Sequence, residues 1–141
     1  MTVTFCGHRE IDDCERVRAW LTETVTELIG QGAELFYIGD CGAFDRMAAG
    51  VVHALKAGYP QIRSVLVLAY LDRPADLRLF DSSIFPPLEK VPLRFAISRR
   101  NRWMVDASDC VVACVQYGWG GAAQTLDYAL RKKKRIIRYA D

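Results

Sequence analysis

Three times along this chain a short apolar run of strand length passes through a glycine-bearing loop into a helical pattern. The runs are residues 3–5, 35–38 and 110–115. The loops after them carry Gly7, then Gly39 and Gly42, then Gly118, Gly120 and Gly121. Helical spacing follows each loop: Val17, Trp20, Leu21, Val25, Leu28 and Ile29; then Phe44, Met47, Ala48, Val51, Val52 and Leu55; then Leu126, Ala129 and Leu130. Asp12 and Asp13 suit the N-cap and first turn of the first helix, and Gly30 with Gly32 ends it. Further strands are expected over 64–68 and 136–139, with a helix over 95–107. Such alternation predicts an α/β fold, a doubly wound parallel sheet of about five strands with right-handed crossovers.

Residues 69–93 interrupt the rhythm. Pro74, Pro86, Pro87 and Pro92 exclude a long regular element, and a connection of this length reads as a lid or binding loop. No linker, repeat or low-complexity segment divides the chain, so residues 1–141 are expected to form a single domain, a size that suits one core.

A strand, a glycine loop and a helix N-terminus together can hold an anion, because backbone N–H groups point at it and the helix dipole favours negative charge. In a doubly wound sheet such loops meet beyond the carboxyl ends of the strands, where the order reverses. An order near 3-2-1-4-5 would bring the loops at Gly7, Gly39 and Gly120 to one crevice. Gly120, Gly121 and Thr125 are then candidates for phosphate. Arg99, Arg100 and Arg102 crowd one short stretch near a helix start, an arrangement an anionic ligand would relieve. Arg100 and Arg9 are the expected charge clamp, with Arg100 and the Gly120-Gly121 loop recognising the same anion. Trp119 could stack on a base.

Other classes are excluded or ranked low. No apolar run approaches the roughly 18 residues of a membrane span, and no signal peptide opens the chain, so a cytoplasmic protein is expected. Five cysteines, an odd number, read as reduced thiols. No tight Cys-x-x-Cys pair accompanies Cys6, His8 and Cys41, so neither a metal nor another cofactor is expected. Ten of the nineteen basic residues lie within 94–138. The densest run, 131–135, has no aromatic inside it and reads as a solvated helix end, which ranks single-stranded nucleic-acid binding last.

Phe5-Cys6-Gly7-His8-Arg9, residues 39–49, the prolines at 86–92, Arg100 to Asp106 and Gly120-Gly121 to Ala129 occur in an order that resembles one family. The chain looks like a small YpsA-like member of the SLOG superfamily, which also includes DNA-processing protein A and the lonely-guy phosphoribohydrolases. The resemblance implies a Rossmann-like fold and a pocket for a nucleotide or nucleotide-derived ligand. The ligand-binding candidates are Gly7, His8, Arg9, Gly39, Asp40, Phe44, Asp45, Arg100, Asn101, Trp119, Gly120, Gly121 and Thr125. Asp40 and Ala43 stand where that family often has glycine, and Asp40 would repel a phosphate, so this loop would take ribose or base hydroxyls instead.

The phosphoribohydrolases resembled here carry Pro-Gly-Gly-x-Gly-Thr-x-x-Glu. In this chain Trp119 replaces the proline, the threonine comes one residue later, and Tyr128 sits where the glutamate would follow. A non-catalytic binding module is therefore expected ahead of a nucleoside 5′-monophosphate phosphoribohydrolase. For the hydrolase Asp127 and Asp40 are the main catalytic candidates, with Asp45 and Asp106 behind them. The partner expected is a small nucleotide-derived ligand, and a homodimer is left open.

Overall fold

The computed structural model describes residues 1–140. Six strands form one sheet: β1 (Thr2–Gly7), β2 (Leu35–Ile38), β3 (Arg63–Val67), β4 (Ser82–Ile84), β5 (Cys110–Cys114) and β6 (Arg135–Arg138). All neighbouring pairs are parallel, in the order β4-β3-β2-β1-β5-β6. Helices α1 (Cys14–Gly30) and α2 (Ala43–Leu55) belong to the crossovers among β1, β2 and β3. A 3₁₀ turn, Leu93–Phe95, leads into α3 (Ala96–Asp106), and α4 (Gly121–Arg131) joins β5 to β6.

The burial follows from chain direction. The chain first winds outward from β1 to β4, then returns across the sheet to place β5 on the other side of β1. Right-handed connections in opposite directions put their helices on opposite faces. Accordingly Val3, Phe5, Phe36 and Val112 share a core with Val17, Leu21, Met47 and Val52 of α1 and α2. Cys6, Val111, Ala113 and Val115 share another with Val105, Ala123, Leu126 and Ala129 of α3 and α4. Every residue of β5 is buried, as expected for a strand covered on both faces.

Three details differ from the expectation. β4 is a sixth strand inside the proline-bearing connection: its three residues lie between Pro74 and Pro86, so their N–H groups are intact and can pair with β3. Asp81 anchors it by accepting the Ser64 N–H at 2.8 Å and pairing with Lys56. Asp13 precedes α1 in a left-handed conformation and makes no side-chain cap, its carboxylate lying 3.7 Å from Arg16 instead. Leu130 faces outward, 58% exposed, because the apolar stripe of α4 runs through Leu126 and Ala129.

Candidate ligand-binding site

β1 and β5 are adjacent, and Gly7 is in register with Cys114. Their following loops therefore emerge side by side at the point where strand order reverses. His8 fastens them. Its Nε2 accepts the Gln116 N–H at 3.0 Å and the Tyr117 N–H at 3.4 Å, and its ring stacks on Tyr117 with centroids 3.6 Å apart. An accepting Nε2 leaves the ring proton on Nδ1. Burial lowers the pKa of His8, which keeps it neutral and able to accept. On the other side, the Arg9 carbonyl accepts the Ala43 N–H at 2.8 Å, tying the same loop to the start of α2.

The crevice so formed has a volume of about 260 Å³ and is lined by Gly7, His8, Arg9, Cys41, Asp45, Ile97, Asn101, Tyr117, Trp119, Gly120, Gly121 and Thr125, among others. Gly120 opens α4 with φ 91°, a left-handed conformation natural to glycine, and has no side chain to cap the first turn. The first N–H groups of α4 thus have no intrahelical partner and border the crevice. A Cβ built on Gly118, Gly120 or Gly121 would meet nothing within 4 Å, so this loop is open to a ligand. Trp119 is 69% exposed and leans on Tyr117 at 4.3 Å, extending the aromatic stack outward from His8.

Several expected site residues have other work. Phe44 is wholly buried against Phe5 and beneath Gly7, so it shapes the loop without reaching the crevice. Thr125 lines the crevice, but its hydroxyl donates to the Gly121 carbonyl at 2.9 Å, leaving only acceptor capacity. Arg100 departs most from expectation. It is 0% exposed, donating to Asp40 Oδ1 at 3.0 Å, the Val67 carbonyl at 3.0 Å and Asn101 Oδ1 at 2.9 Å. Gly39 makes room for it, since a Cβ there would lie 3.0 Å from Arg100 Cζ and from Asp45 Oδ2. Arg100 therefore holds the β2–α2 loop and stays behind the crevice wall, while Arg9 reaches the opening.

The candidate carboxylates have partners too, Asp127 excepted, although Asp40 commits only one oxygen. Asp40 pairs with Arg100, and Asp106 accepts the Tyr128 hydroxyl at 2.8 Å. Asp45 is buried at the crevice floor and accepts the Cys41 N–H at 2.8 Å. Burial raises its pKa, with that hydrogen bond pulling the other way. Burial, then the nearby Asp45, pushes the Cys6 thiol up to about 12, so it packs as a neutral group. Asp127 lies in a larger groove, about 710 Å³, between α3 and α4. That groove shares Arg9, Ile97, Asn101, Gly121 and Thr125 with the crevice and adds Arg94, Arg102 and Arg131. It is the more voluminous space, but Gly120, Ala122 and the stacked rings of Tyr117 and Trp119 line only the smaller crevice.

Sequence reasoning missed Tyr117, Ile97 and this use of Arg94, Arg102 and Arg131. The signal for the arginines was helical: Arg94, Ser98, Asn101 and Arg102 share a stripe three to four residues apart, as do Gln124, Asp127 and Arg131.

The fold and site together define a Rossmann-like α/β protein with a crevice at its topological switch point. It is similar to a solved structure of DNA processing protein A from Helicobacter pylori, described for its unique single-stranded DNA binding mode, at 15% sequence identity and a TM-score of 0.69. That match covers 100% of this chain, which spans 66% of the length of the other. No protein-family model and no curated protein matches the chain. Among the described residues, no helix is long and apolar enough to cross a membrane, and no group of three or more His, Cys, Asp or Glu residues is placed to hold a metal ion.

Proposed function

We propose that this chain is a non-catalytic binding module for a nucleotide or nucleotide-derived ligand, of the YpsA-like SLOG type that its sequence resembles. The observation that carries the reading is one crevice bordered by the uncapped start of α4, by Arg9 and by the Tyr117–Trp119 stack. Phosphate sits on the α4 N–H groups, with Arg9 supplying a planar, charge-assisted contact. The base stacks on Trp119, whose ring is free on its outer side. Hydrolysis of the N-glycosidic bond would require a carboxylate at the sugar. Asp45 and Asp106 are held by Cys41 and Tyr128, Asp127 is set in the outer groove, and Asp40, paired through Oδ1 with Arg100, does not line the crevice.

Calorimetric titration with nucleoside mono- and diphosphates tests this. Arg9→Ala is expected to weaken binding roughly ten- to hundredfold. Arg18→Ala, exposed on α1 across the sheet, is expected to change nothing. Equal losses from both variants, or rapid release of free base that Asp127→Asn abolishes, would contradict the reading.

A second reading, single-stranded nucleic acid, gains from the outer groove. There Arg9, Arg94, Arg102 and Arg131 face a single carboxylate, Asp127, with Phe95 47% exposed beside Arg94. Basic side chains interleaved with aromatic faces are what a single strand needs, and the solved structural neighbour is described as binding one. Affinity for a thymidine oligonucleotide that grows with length, falls steeply with salt and depends on Arg102 and Arg131 would favour it.

A further inference from the structure

We infer that the crevice continues past Arg9 into a second nucleoside chamber, so that the ligand is a dinucleotide, two nucleosides joined through phosphate. This rests on the nucleotide reading above and names its ligand class.

A separate cavity of about 280 Å³ lies between the β2–α2 loop and the connection after β3, and its lining includes Asp40, Cys41, Tyr70 and Arg73. It meets the glycine crevice at Arg9, Cys41 and Ile97, which line both. Small-molecule sites begin at roughly 300 Å³, so each chamber alone is small for a whole ligand and the two together fall well inside the range.

The chemistry of the second chamber suits a nucleoside. The Tyr70 hydroxyl donates to the Leu93 carbonyl at 3.1 Å, which fixes the ring against the turn before α3. The Arg73 guanidinium lies 3.7 Å over that ring and keeps one planar face for a base. Asp40 commits Oδ1 to Arg100, yet its side chain is 50% exposed, leaving Oδ2 as an acceptor for ribose hydroxyls or an exocyclic amine. A carboxylate there repels a phosphate, whereas Arg9 at the junction attracts one. Positive charge at the junction, with a stacking surface in each chamber and an acceptor beyond, matches base–sugar–phosphate–sugar–base.

The test titrates the full chain with the adenosine, guanosine, cytidine and uridine 5′-diphosphates. Each is paired with its symmetrical dinucleoside pyrophosphate, which adds a nucleoside without adding phosphorus. At least one dinucleotide is expected to bind about tenfold or more tightly than its diphosphate, the worth of one stacked base. Arg73→Ala, an exposed side chain, is expected to erase that advantage and leave diphosphate affinity unchanged. Equal affinities within every pair, or an advantage that survives Arg73→Ala, overturn the second chamber while leaving the nucleotide reading in place. No binding of any of the eight compounds overturns both.

Discussion

Arg100 sits on α3 four residues from Ala96 and four from Met104, and all three are buried. Its guanidinium joins the β2–α2 loop, the end of β3 and α3 through three acceptors, and its Nη2 has no hydrogen-bond partner. Truncation would leave Asp40 unpaired and open a void behind Gly39. Arg100→Ala is therefore expected to lower the unfolding free energy by roughly 3 kcal/mol, and Arg100→Lys to recover only part, because an ammonium cannot span the same planar set of acceptors. Urea denaturation measures both. A loss within about 0.5 kcal/mol for Arg100→Ala, the range of an ordinary surface change, would contradict this role. Charge alone gave no way to tell Arg100 from Arg99 and Arg102, which are exposed. The discriminating signal was the row Ala96, Arg100, Met104, in which two apolar partners mark the arginine between them as inward-facing.

At the scale of elements, the joint between the β1 and β5 loops turns on one neutral imidazole. The pKa of His8 is lowered from 6.5, so below that pH the unfolded chain takes up a proton that the folded one refuses. The His8 contribution is thus complete above about pH 6.5 and shrinks as pH falls toward the folded value. Asp45 acts in the opposite sense: its pKa is raised from 3.8, so the folded state binds the proton more readily and gains as pH falls. Comparing wild type with His8→Phe at each pH cancels the Asp45 effect. The variant cannot titrate and leaves the Gln116 N–H without its acceptor. At pH 7.5 it is expected to be less stable by about 1–3 kcal/mol, and the gap is expected to narrow from pH 6.5 to 5 in urea titrations. A gap that stays constant or widens would contradict the account. The alternation of strands and helices was legible because apolar period and glycine punctuation agree along most of the chain. β4 was not, since three residues between prolines are too few to show a period, and their pairing depends on Asp81 reaching Ser64.

For the molecule as a whole, the strand order decides where a ligand can sit. The five strands expected from the sequence take the order 3-2-1-4-5, with β4 added beyond the third, so the three glycine loops do reach one end of the sheet. Which of their side chains face the opening was not legible, because that depends on how α2 and α3 seat against the loops: Phe44 and Arg100 turn inward, and Arg9 outward. The central claim is that the start of α4 receives a phosphate beside Trp119. Amide chemical-shift mapping during titration with the nucleoside diphosphates tests it most directly. The prediction is saturable movement of the Gly121, Ala122 and Ala123 amides and of the Trp119 indole N–H, with the α1 amides still. Shifts confined to Arg94 in the turn before α3 and to the Arg102 and Arg131 faces of α3 and α4, with Gly121 to Ala123 unmoved, would contradict it.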